Sequence, residues 1–414
     1  MTNIEIMSPV GSYESLAAAI QAGAGSVYFG IGKLNMRSRS AVNFGREDLK
    51  HIVEICNTHH VRSYLTVNTI IYNDELSEMQ ELLNDAKKCG VSAIIASDWA
   101  VIEYAARIGI EIHISTQCNI TNIEAVRFYA RFADVMVLAR ENSLAQVASI
   151  TEAIRNENIC GPSGQQVRIE MFIHGALCMA VSGKCYLSLD NFNHSANRGA
   201  CLQPCRRSYQ VKDEESDLEL AIDNKYIMSP KDLCTIGFLD KIIKAGVTVL
   251  KIEGRGRSAE YVKTVTACYH EALDAIILHQ YTKEKIDEWI TRLRSVYNRD
   301  FWDGYYLGRT MGEWADRYGS QATKIKVYVG KITNYFSKLQ VAEIHIETQE
   351  ICQGDSLLII GPTTGVCEVE ATEIRVKLKS VDSAHKGEDC SIPSSELVRR
   401  GDKVYKWIIT EEEF

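Results

Sequence analysis

The sequence of 414 residues lacks several features that are typical of disordered, secreted and membrane proteins. It contains only six prolines and no low-complexity tract, so long disordered linkers are not expected. No uninterrupted apolar run reaches the length of a membrane span. The first residues, MTNIEIMSPVG, have no basic segment followed by an apolar one, so no signal peptide is predicted. We therefore expect a cytoplasmic protein that does not enter a membrane.

The sequence also lacks an excess of positive charge and several catalytic motifs. Its formal net charge of −8 does not indicate nucleic-acid binding, although a local basic patch remains compatible with it. No glycine-rich dinucleotide fingerprint follows the first predicted strand. There is neither a G-x-S-x-G elbow nor an H-E-x-x-H pair, so the sequence gives little support for a peptidase of those kinds.

Cysteine, by contrast, is abundant, with thirteen residues. An odd count in a chain without a predicted leader indicates thiols or metal ligands rather than disulfides. Most of the scattered cysteines fall in apolar periodic segments or near the C-terminus and are interpreted as core or structural residues. These are Cys56, Cys89, Cys118, Cys268, Cys352, Cys367 and Cys390.

Four other cysteines crowd into one segment, HGALCMAVSGKCYLSLDNFNHSANRGACLQPCRR, from His174 to Arg207. They are Cys178, Cys185, Cys201 and Cys205, spaced C-x6-C-x15-C-x3-C. Four thiolates suit a structural zinc or an iron–sulfur cluster. Zinc knuckles usually pair their cysteines roughly two to four residues apart, which only the last pair approaches, whereas a cluster accepts looser spacing. The spacing alone is compatible with either a zinc ion or an iron–sulfur cluster. Cys234 is interpreted as a core cysteine at a helix start.

The fold class follows from an alternation of apolar strands and amphipathic helices between residue 4 and about residue 275. Near-continuous apolar strands in such an alternation predict a parallel sheet, and eight of them predict a (β/α)8 barrel of the TIM type rather than an open doubly wound sheet. The predicted strands are IEIMSP, SVYFGI, VRSYLTVNTI, VSAIIAS, EIHIST, DVMVLAR, VRIEMFIH and VTVLKIEG.

The rest of the chain has a different pattern. We predict domain bounds of 1–275 for the barrel, with the four-cysteine insertion at 174–207, and 276–322 for a helical connector. Residues 323–414 read as short strands joined by Gly, Pro and Asp turns, which predicts a small all-β barrel domain.

The active site of a TIM-type barrel lies at the carboxyl ends of its strands. The insertion follows the seventh strand and therefore overhangs this mouth. Glu253, Arg255 and Arg257 in KIEGRGR follow the eighth strand and could bind an anion, and His174 is a candidate proton carrier. Other polar residues just past predicted strands are Ser8, Asn68, Ser97, Asp98, Ser115, Gln117, Arg140 and Glu141.

Several motifs resemble the signature of peptidase family U32, the collagenase-like proteases. The pattern ExFxxGALCxxxxGxCxLS runs from Glu170 to Ser188, and NRGACLQPCR, SPKDL, KIEGRGRSAEYV and NRDFWDGYYLG continue the resemblance. Relatives in this family include hydroxylation factors for tRNA wobble uridine, for ribosomal RNA and for ubiquinone synthesis, which carry a 4Fe–4S cluster on four cysteines. The resemblance thus implies Cys178, Cys185, Cys201 and Cys205 as cluster ligands, with Cys234 as an alternative fourth ligand.

The resemblance further implies an enzyme of RNA modification, most closely 5-hydroxylation of a tRNA wobble uridine. On this interpretation Glu253 and His174 are catalytic, and prephenate is a possible co-substrate. The expected partners are tRNA and a protein of the same family. The arginines assigned to substrate or phosphate contacts are Arg198, Arg206, Arg207, Arg255 and Arg257, together with Lys324, Lys326 and Lys331 of the β domain.

Three alternatives stay open at this stage. A U32-type peptidase would need Cys178 as nucleophile with His174 or His194 as its base. A ribosomal RNA hydroxylation factor would share the cluster but act on another RNA. A zinc-stabilised binding protein would use the four cysteines only for structure.

Overall fold

The computed structural model describes residues 4–39, 43–210, 226–309 and 312–410. In this part of the chain eight parallel strands close into a barrel, because each strand pairs with the next one around the ring. The ring is completed by the strand Val249–Ile252, which pairs with Arg168–Gly175 on one side and with Glu5–Pro9 on the other. The prediction of a (β/α)8 barrel is therefore confirmed. Its strands are β1 (Glu5–Pro9), β2 (Ser26–Gly30), β3 (Arg62–Val67), β4 (Ala93–Ala96), β5 (Ile112–Ile114), β6 (Val135–Val137), β7 (Arg168–Gly175) and β9 (Val249–Ile252).

Amphipathic helices cover the outside of the barrel. In the helix from Leu76 to Cys89, for example, Met79 and Leu83 are buried one turn apart, and the helix ends at Gly90 in the left-handed conformation (φ 81°). The helices are α1 (Tyr13–Gln21), α2 (Asp48–Thr58), α3 (Leu76–Cys89), α4 (Trp99–Ile108), α5 (Ile123–Tyr129), α6 (Leu144–Asn156), α7 (Leu187–Phe192), α8 (Leu239–Lys244) and α9 (Ala259–Ile277).

Two layers of core hold this arrangement together. The larger one lies between the strands and the helices. A smaller one is formed only by strand residues and therefore fills the barrel interior: Met7, Tyr28, Tyr64, Ala93, Ile95, Val135 and Val249. Because side chains alternate across a strand, Lys251 shares the inward face of β9 with Val249. The interior thus carries a charge among its apolar side chains.

A short strand, β8 (Asp232–Cys234), extends the end of β7 in antiparallel register, with His174 opposite Cys234. It pairs in parallel with β10 (Phe301–Trp302), which follows α10 (Lys283–Arg294). The expectation that Cys234 starts a helix is wrong. Cys234 ends a strand, and the helix begins only at Leu239, because the sheet edge at the end of β7 offers the segment backbone partners.

The second domain is an antiparallel sheet, as expected for an all-β domain. Its main sheet has the order β15-β14-β20-β11-β12-β19-β16-β17, and β13 pairs with β18. A separate hydrophobic core fills it. The strands are β11 (Lys324–Phe336), β12 (Val341–Ile346), β13 (Ile351–Cys352), β14 (Ser356–Gly361), β15 (Gly365–Glu370), β16 (Ile374–Val376), β17 (Lys379–Val381), β18 (Ser383–Ala384), β19 (Asp389–Pro393) and β20 (Lys403–Ile409).

The second domain packs against α1 and α9 of the barrel. The apolar side chains of the contact are Ala18, Ala259, Leu358, Ile360 and Val366. Gln21 donates to the carbonyl of Thr364 (2.7 Å) and accepts from the amide of Val366 (3.1 Å). Lys263 donates to the carbonyl of Val366 (2.6 Å). Apolar packing and directed hydrogen bonds together fix one domain on the other.

Among the described residues, no helix has the length and apolar character that crossing a membrane requires.

Candidate active site at the barrel mouth

The four clustered cysteines gather around two adjoining cavities at the carboxyl end of the barrel. Cys178 and Cys201 line both cavities, Cys185 lines one of about 130 Å³, and Cys205 lines the other, of about 170 Å³. Cys178 is exposed and Cys205 is buried, while the other two lie between these extremes. The insertion therefore directs all four thiols to one place, which a spacing of this length did not guarantee.

The thiols influence one another electrostatically. Burial and the charges of the other three cysteines raise the pKa of Cys205, Arg206 opposes them, and the resulting pKa is about 11. Burial also raises the pKa of Cys185; Cys178 and Cys201 add to this, and backbone amides at the start of α7 oppose it. Four thiolates at this spacing repel each other, so their joint ionisation requires a compensating positive charge such as a bound metal centre.

The spacing of the thiols bears on the kind of metal centre. Within the described ranges, which contain all four cysteines, no three His, Cys, Asp or Glu side chains lie close enough together to hold a single ion. A tetrahedral zinc with bonds of about 2.3 Å would draw its sulfurs to within about 3.8 Å of one another. In this structure the described thiols therefore do not stand in the ligand arrangement of a single zinc ion.

Cys234 stands apart from this group. It lies at the end of β8, where the Tyr269 hydroxyl is 4.0 Å from its sulfur. Burial raises its pKa to about 11. Neither cavity at the mouth is lined by Cys234.

Glu253, just past β9, is the anionic centre of the mouth. Its Oε1 accepts from Arg37 Nη2 (2.6 Å) and Nε (3.2 Å), and its Oε2 lies 4.0 Å from Arg140 Nη2. Burial alone would raise the pKa of Glu253, but Arg37 and Arg140 outweigh it and lower the pKa to about 2. The carboxylate is therefore ionised at any physiological pH.

Among the described residues, the Nε of Arg140 is a buried hydrogen-bond donor that remains unpaired. Its guanidinium carbon lies 3.9 Å from the ring centre of Phe172, and Nη1 donates to the carbonyl of Ala176 (3.1 Å). Its Nε is buried without a hydrogen-bond partner among the described residues. Because an unpaired buried donor is costly, this atom is suited to meet an acceptor on a bound ligand.

Arg255 is held rigidly at the rim of the smaller cavity. It donates from Nη1 to Asn35 (3.0 Å) and to Thr66 (2.8 Å), and burial lowers its pKa to about 10. A Cβ on Gly30 would lie 2.5 Å from that same nitrogen, so glycine is needed there for Arg255 to fit.

A line of buried acid–base groups continues from the mouth into the barrel. Lys251 lines the smaller cavity, and its Nζ lies 2.6 Å from Glu170 Oε1. Glu170 Oε2 is 3.6 Å from His113 Nδ1, and His113 Nε2 is 3.2 Å from Glu111. Sequence reasoning missed Lys251 and His113 as site-related residues. A lysine in an otherwise apolar strand was the available signal.

Of three other arginines that were predicted to contact the substrate, two line a cavity at the mouth and one does not. Arg206 donates to the carbonyl of Pro230 (2.7 Å), Arg257 stacks 3.5 Å from the ring centre of Tyr297, and both line the larger cavity. Arg198 is instead tied to Glu75 (Nη1–Oε2 2.8 Å) and lines neither cavity.

His174 also lies away from the cavities. It is buried among Tyr261, Tyr269 and Phe301, with its Nδ1 3.4 Å from the Tyr269 hydroxyl. Burial lowers its pKa to about 3, so the imidazole is neutral near pH 7.

The lysines of the β domain that were assigned to phosphate contacts are partly engaged elsewhere. Lys326 pairs with Glu260 of α9 (2.8 Å), and Lys331 pairs with Glu347 (2.7 Å). An ion-paired lysine offers less charge to a phosphate, so these two positions gain no support as RNA contacts.

Comparison with known proteins shows where the chain belongs. Its residues 11–316 match the sequence profile of Peptidase family U32. The chain is 59% identical over its whole length to the whole of a protein of Porphyromonas gingivalis named collagenase. It is 32% identical to tRNA hydroxylation protein P1 of Bacillus subtilis, over 86% of this chain and 83% of that protein. It is 37% identical to the 23S rRNA 5-hydroxycytidine C2501 synthase of Escherichia coli, over 66% of this chain and 40% of that protein. The chain belongs to peptidase family U32.

Proposed function

We propose that this chain is an RNA-hydroxylating enzyme whose first target is C5 of a tRNA wobble uridine. In this proposal Cys178, Cys185, Cys201 and Cys205 hold a 4Fe–4S cluster. The observation that carries it is the convergence of four thiols on cavities that also contain Glu253 and its arginines. A redox centre beside a small, cation-lined cavity suits the oxidation of a base that is flipped out of its stack.

The cluster would supply electron transfer, and this chain's own side chains would bind and orient the reactants. Arg140, with its unused Nε, and Arg37 are placed to hold an anionic co-substrate, for which prephenate is the first compound to test. Because the pKa of Glu253 is lowered to about 2, its carboxylate is a weak proton acceptor at neutral pH. Its role in this proposal is to orient both arginines. Lys251 faces the same cavity and is the candidate proton donor.

Two relatives support an RNA substrate, since the Bacillus subtilis and Escherichia coli proteins are named for hydroxylation of tRNA and of a 23S rRNA cytidine. A uridine and a cytidine share the C5 position, so a pocket for one pyrimidine ring suits either RNA. We place tRNA first because the Bacillus subtilis relative matches over most of both chains.

Peptidase activity is the second candidate, because the Porphyromonas gingivalis relative is named collagenase and matches over its whole length. The geometry gives this candidate less support. A cysteine nucleophile needs an imidazole within hydrogen-bond reach. His174 is buried beside Tyr269, and His194 contacts Arg39 Nη1 (2.8 Å) and the Phe192 carbonyl; within the described ranges, neither histidine hydrogen bonds to Cys178.

The deciding experiment combines metal analysis with nucleoside analysis. The protein is purified without oxygen, and its iron, sulfide and zinc contents are measured. Mass spectrometry then compares tRNA and rRNA nucleosides from a deletion strain complemented with the wild type or with Cys201→Ala. We expect a brown protein and a hydroxylated nucleoside that only the wild type restores. A colourless zinc protein, or gelatin cleavage that is lost in Cys178→Ala and survives iron chelation, would overturn the proposal.

A further inference from the structure

The hairpin between β16 and β17 has an unusual tip. Val376 pairs with Lys379, which leaves Lys377 and Leu378 as a two-residue turn. Both have positive φ, 50° and 66°, where Asn-Gly is the usual choice because the Cβ atom of most other residues comes too close to the backbone carbonyl oxygen. Leu378 is also 89% exposed, so packing does not compensate for this strain. A strained leucine that is held out in solvent indicates a role in contact with something else.

The charged side chains between positions 375 and 379 are all basic. Arg375, Lys377 and Lys379 are all exposed, and Arg375 is tied to Glu373 (2.7 Å). Neither Lys377 nor Lys379 has an ion-pair partner within the residues that the structure describes. In a chain of net charge −8, two unpaired lysines beside an exposed leucine form a local basic and apolar contact point.

We propose that the β16–β17 hairpin is an RNA-contacting element of this protein. Lys377 and Lys379 contact phosphates, and Leu378 packs against an unstacked base, the combination that proteins use on distorted or single-stranded nucleic acid. This inference rests on the proposed function and assigns part of its RNA surface to the second domain. Because that domain is fixed to the barrel through Gln21 and Lys263, RNA held at the hairpin keeps a constant position relative to the mouth.

The β11–β12 hairpin, whose turn lies at the other end of the same sheet, provides a matched control. Its turn also carries an exposed leucine, Leu339 (73% exposed), next to one lysine, Lys338. It belongs to the same sheet, so equivalent substitutions there test for general effects on the domain. A nonspecific attraction between RNA and surface lysines would respond equally at both hairpins.

The test measures binding of a fluorescein-labelled tRNA transcript by anisotropy across a series of KCl concentrations. The full-length variants are Lys377→Ala with Lys379→Ala, Leu378→Asn, and the control pair Lys338→Ala and Leu339→Asn. Losing two phosphate contacts should reduce the salt slope by about 1.4 to 1.8 and the affinity at 0.1 M salt by at least about tenfold. Asn suits the turn, so Leu378→Asn should melt no lower than wild type yet bind RNA several-fold more weakly.

The outcomes separate this inference from the proposed function. If the wild type binds tRNA and all hairpin variants bind as well as it does, the hairpin assignment is wrong and the proposed function stands. If the wild type binds neither tRNA nor ribosomal RNA fragments, both are wrong. Lysine-dependent binding of the wild type to phosphatidylglycerol vesicles, with no RNA binding, would assign the tip to an anionic lipid surface and overturn the inference.

Discussion

The contact between Lys251 and Glu170 allows a sharp test of the barrel interior. The two groups lie 2.6 Å apart, and their side chains are 5% and 0% exposed. Burial alone would raise the pKa of Glu170, but Lys251 and His113 outweigh it and lower the pKa. The perturbation is Lys251→Met, which keeps an apolar chain of similar length against Tyr28 and Phe172 and removes the charge.

Two estimates limit the loss in free energy of unfolding that Lys251→Met should cause. Removing one partner of a buried ion pair typically costs about 3–5 kcal/mol. Glu170 can escape part of this cost by taking up a proton. That proton costs about 3.7 kcal/mol at pH 7, since each unit above the ordinary Glu pKa near 4.3 is about 1.4 kcal/mol. We therefore expect Lys251→Met to lower the free energy of unfolding by about 3–4 kcal/mol at pH 7.

The pH dependence has a definite sign. In the wild type the lowered pKa of Glu170 gives stability that is present above the unfolded pKa and lost as the pH falls through the folded value. In Lys251→Met the pKa of Glu170 should rise above its unfolded value. The variant is then relatively stabilised at low pH, and its deficit should shrink by about 1.4 kcal/mol per pH unit between pH 7 and pH 5.

Urea unfolding followed by circular dichroism at pH 7, 6 and 5 measures this deficit. Adding Glu170→Gln to Lys251→Met should recover most of the loss, because no buried charge is then left unpaired. Lys331→Met is the control: its pair with Glu347 is 51% and 32% exposed and should contribute less than about 1 kcal/mol. A deficit for Lys251→Met below about 1 kcal/mol at pH 7, or one that does not change between pH 7 and pH 5, would refute the reasoning.

Three further predictions concern the mouth and its surroundings. Glu253→Gln should abolish RNA hydroxylation while the iron content stays at the wild-type level, because it releases Arg37 without touching a thiol; nucleoside mass spectrometry and iron analysis check this. Cys205→Ser should lose the visible absorption and most of the iron of protein purified without oxygen. Burial lowers the pKa of His174 to about 3, so this group costs the wild type about 2 kcal/mol of folding stability between pH 7 and pH 5. His174→Gln should remove this contribution to the acid sensitivity of the folded state, which urea titrations at both pH values will show.

The sequence carried enough information for the barrel because its signal is periodic and repeated. The strands are mostly apolar on both faces and the helices have one apolar stripe, so eight repeats allow a count that the closure of the barrel then confirms. It also placed the insertion at the mouth, since β7 ends at Gly175, three residues before Cys178. Local patterns suffice wherever the partner of a residue is dictated by its element.

Contacts between distant segments could not be read in the same way. Lys251 and Glu170 lie 81 residues apart, and only the closure of the barrel brings them together. Arg37 lies in the segment between β2 and α2, where no periodicity relates it to Glu253. Cys234 was misread because a three-residue strand has too few residues to show a period, and its pairing depends on the edge that β7 presents.

Net charge was a poor guide to this site for a related physical reason. Five arginines line the larger cavity, Arg37, Arg140, Arg206, Arg257 and Arg299, and Glu253 is the one carboxylate among the same described lining residues. This local excess of positive charge exists within a chain whose sum is −8. Its field is strongest where water is excluded, so it acts on ionised thiols and on any anion in the cavity far more than on the protein as a whole. In the proposed function, this excess would oppose the repulsion among four thiolates and favour the binding of an anionic co-substrate beside them. A site of this kind is identified by which charges share a cavity, and the fold decides that.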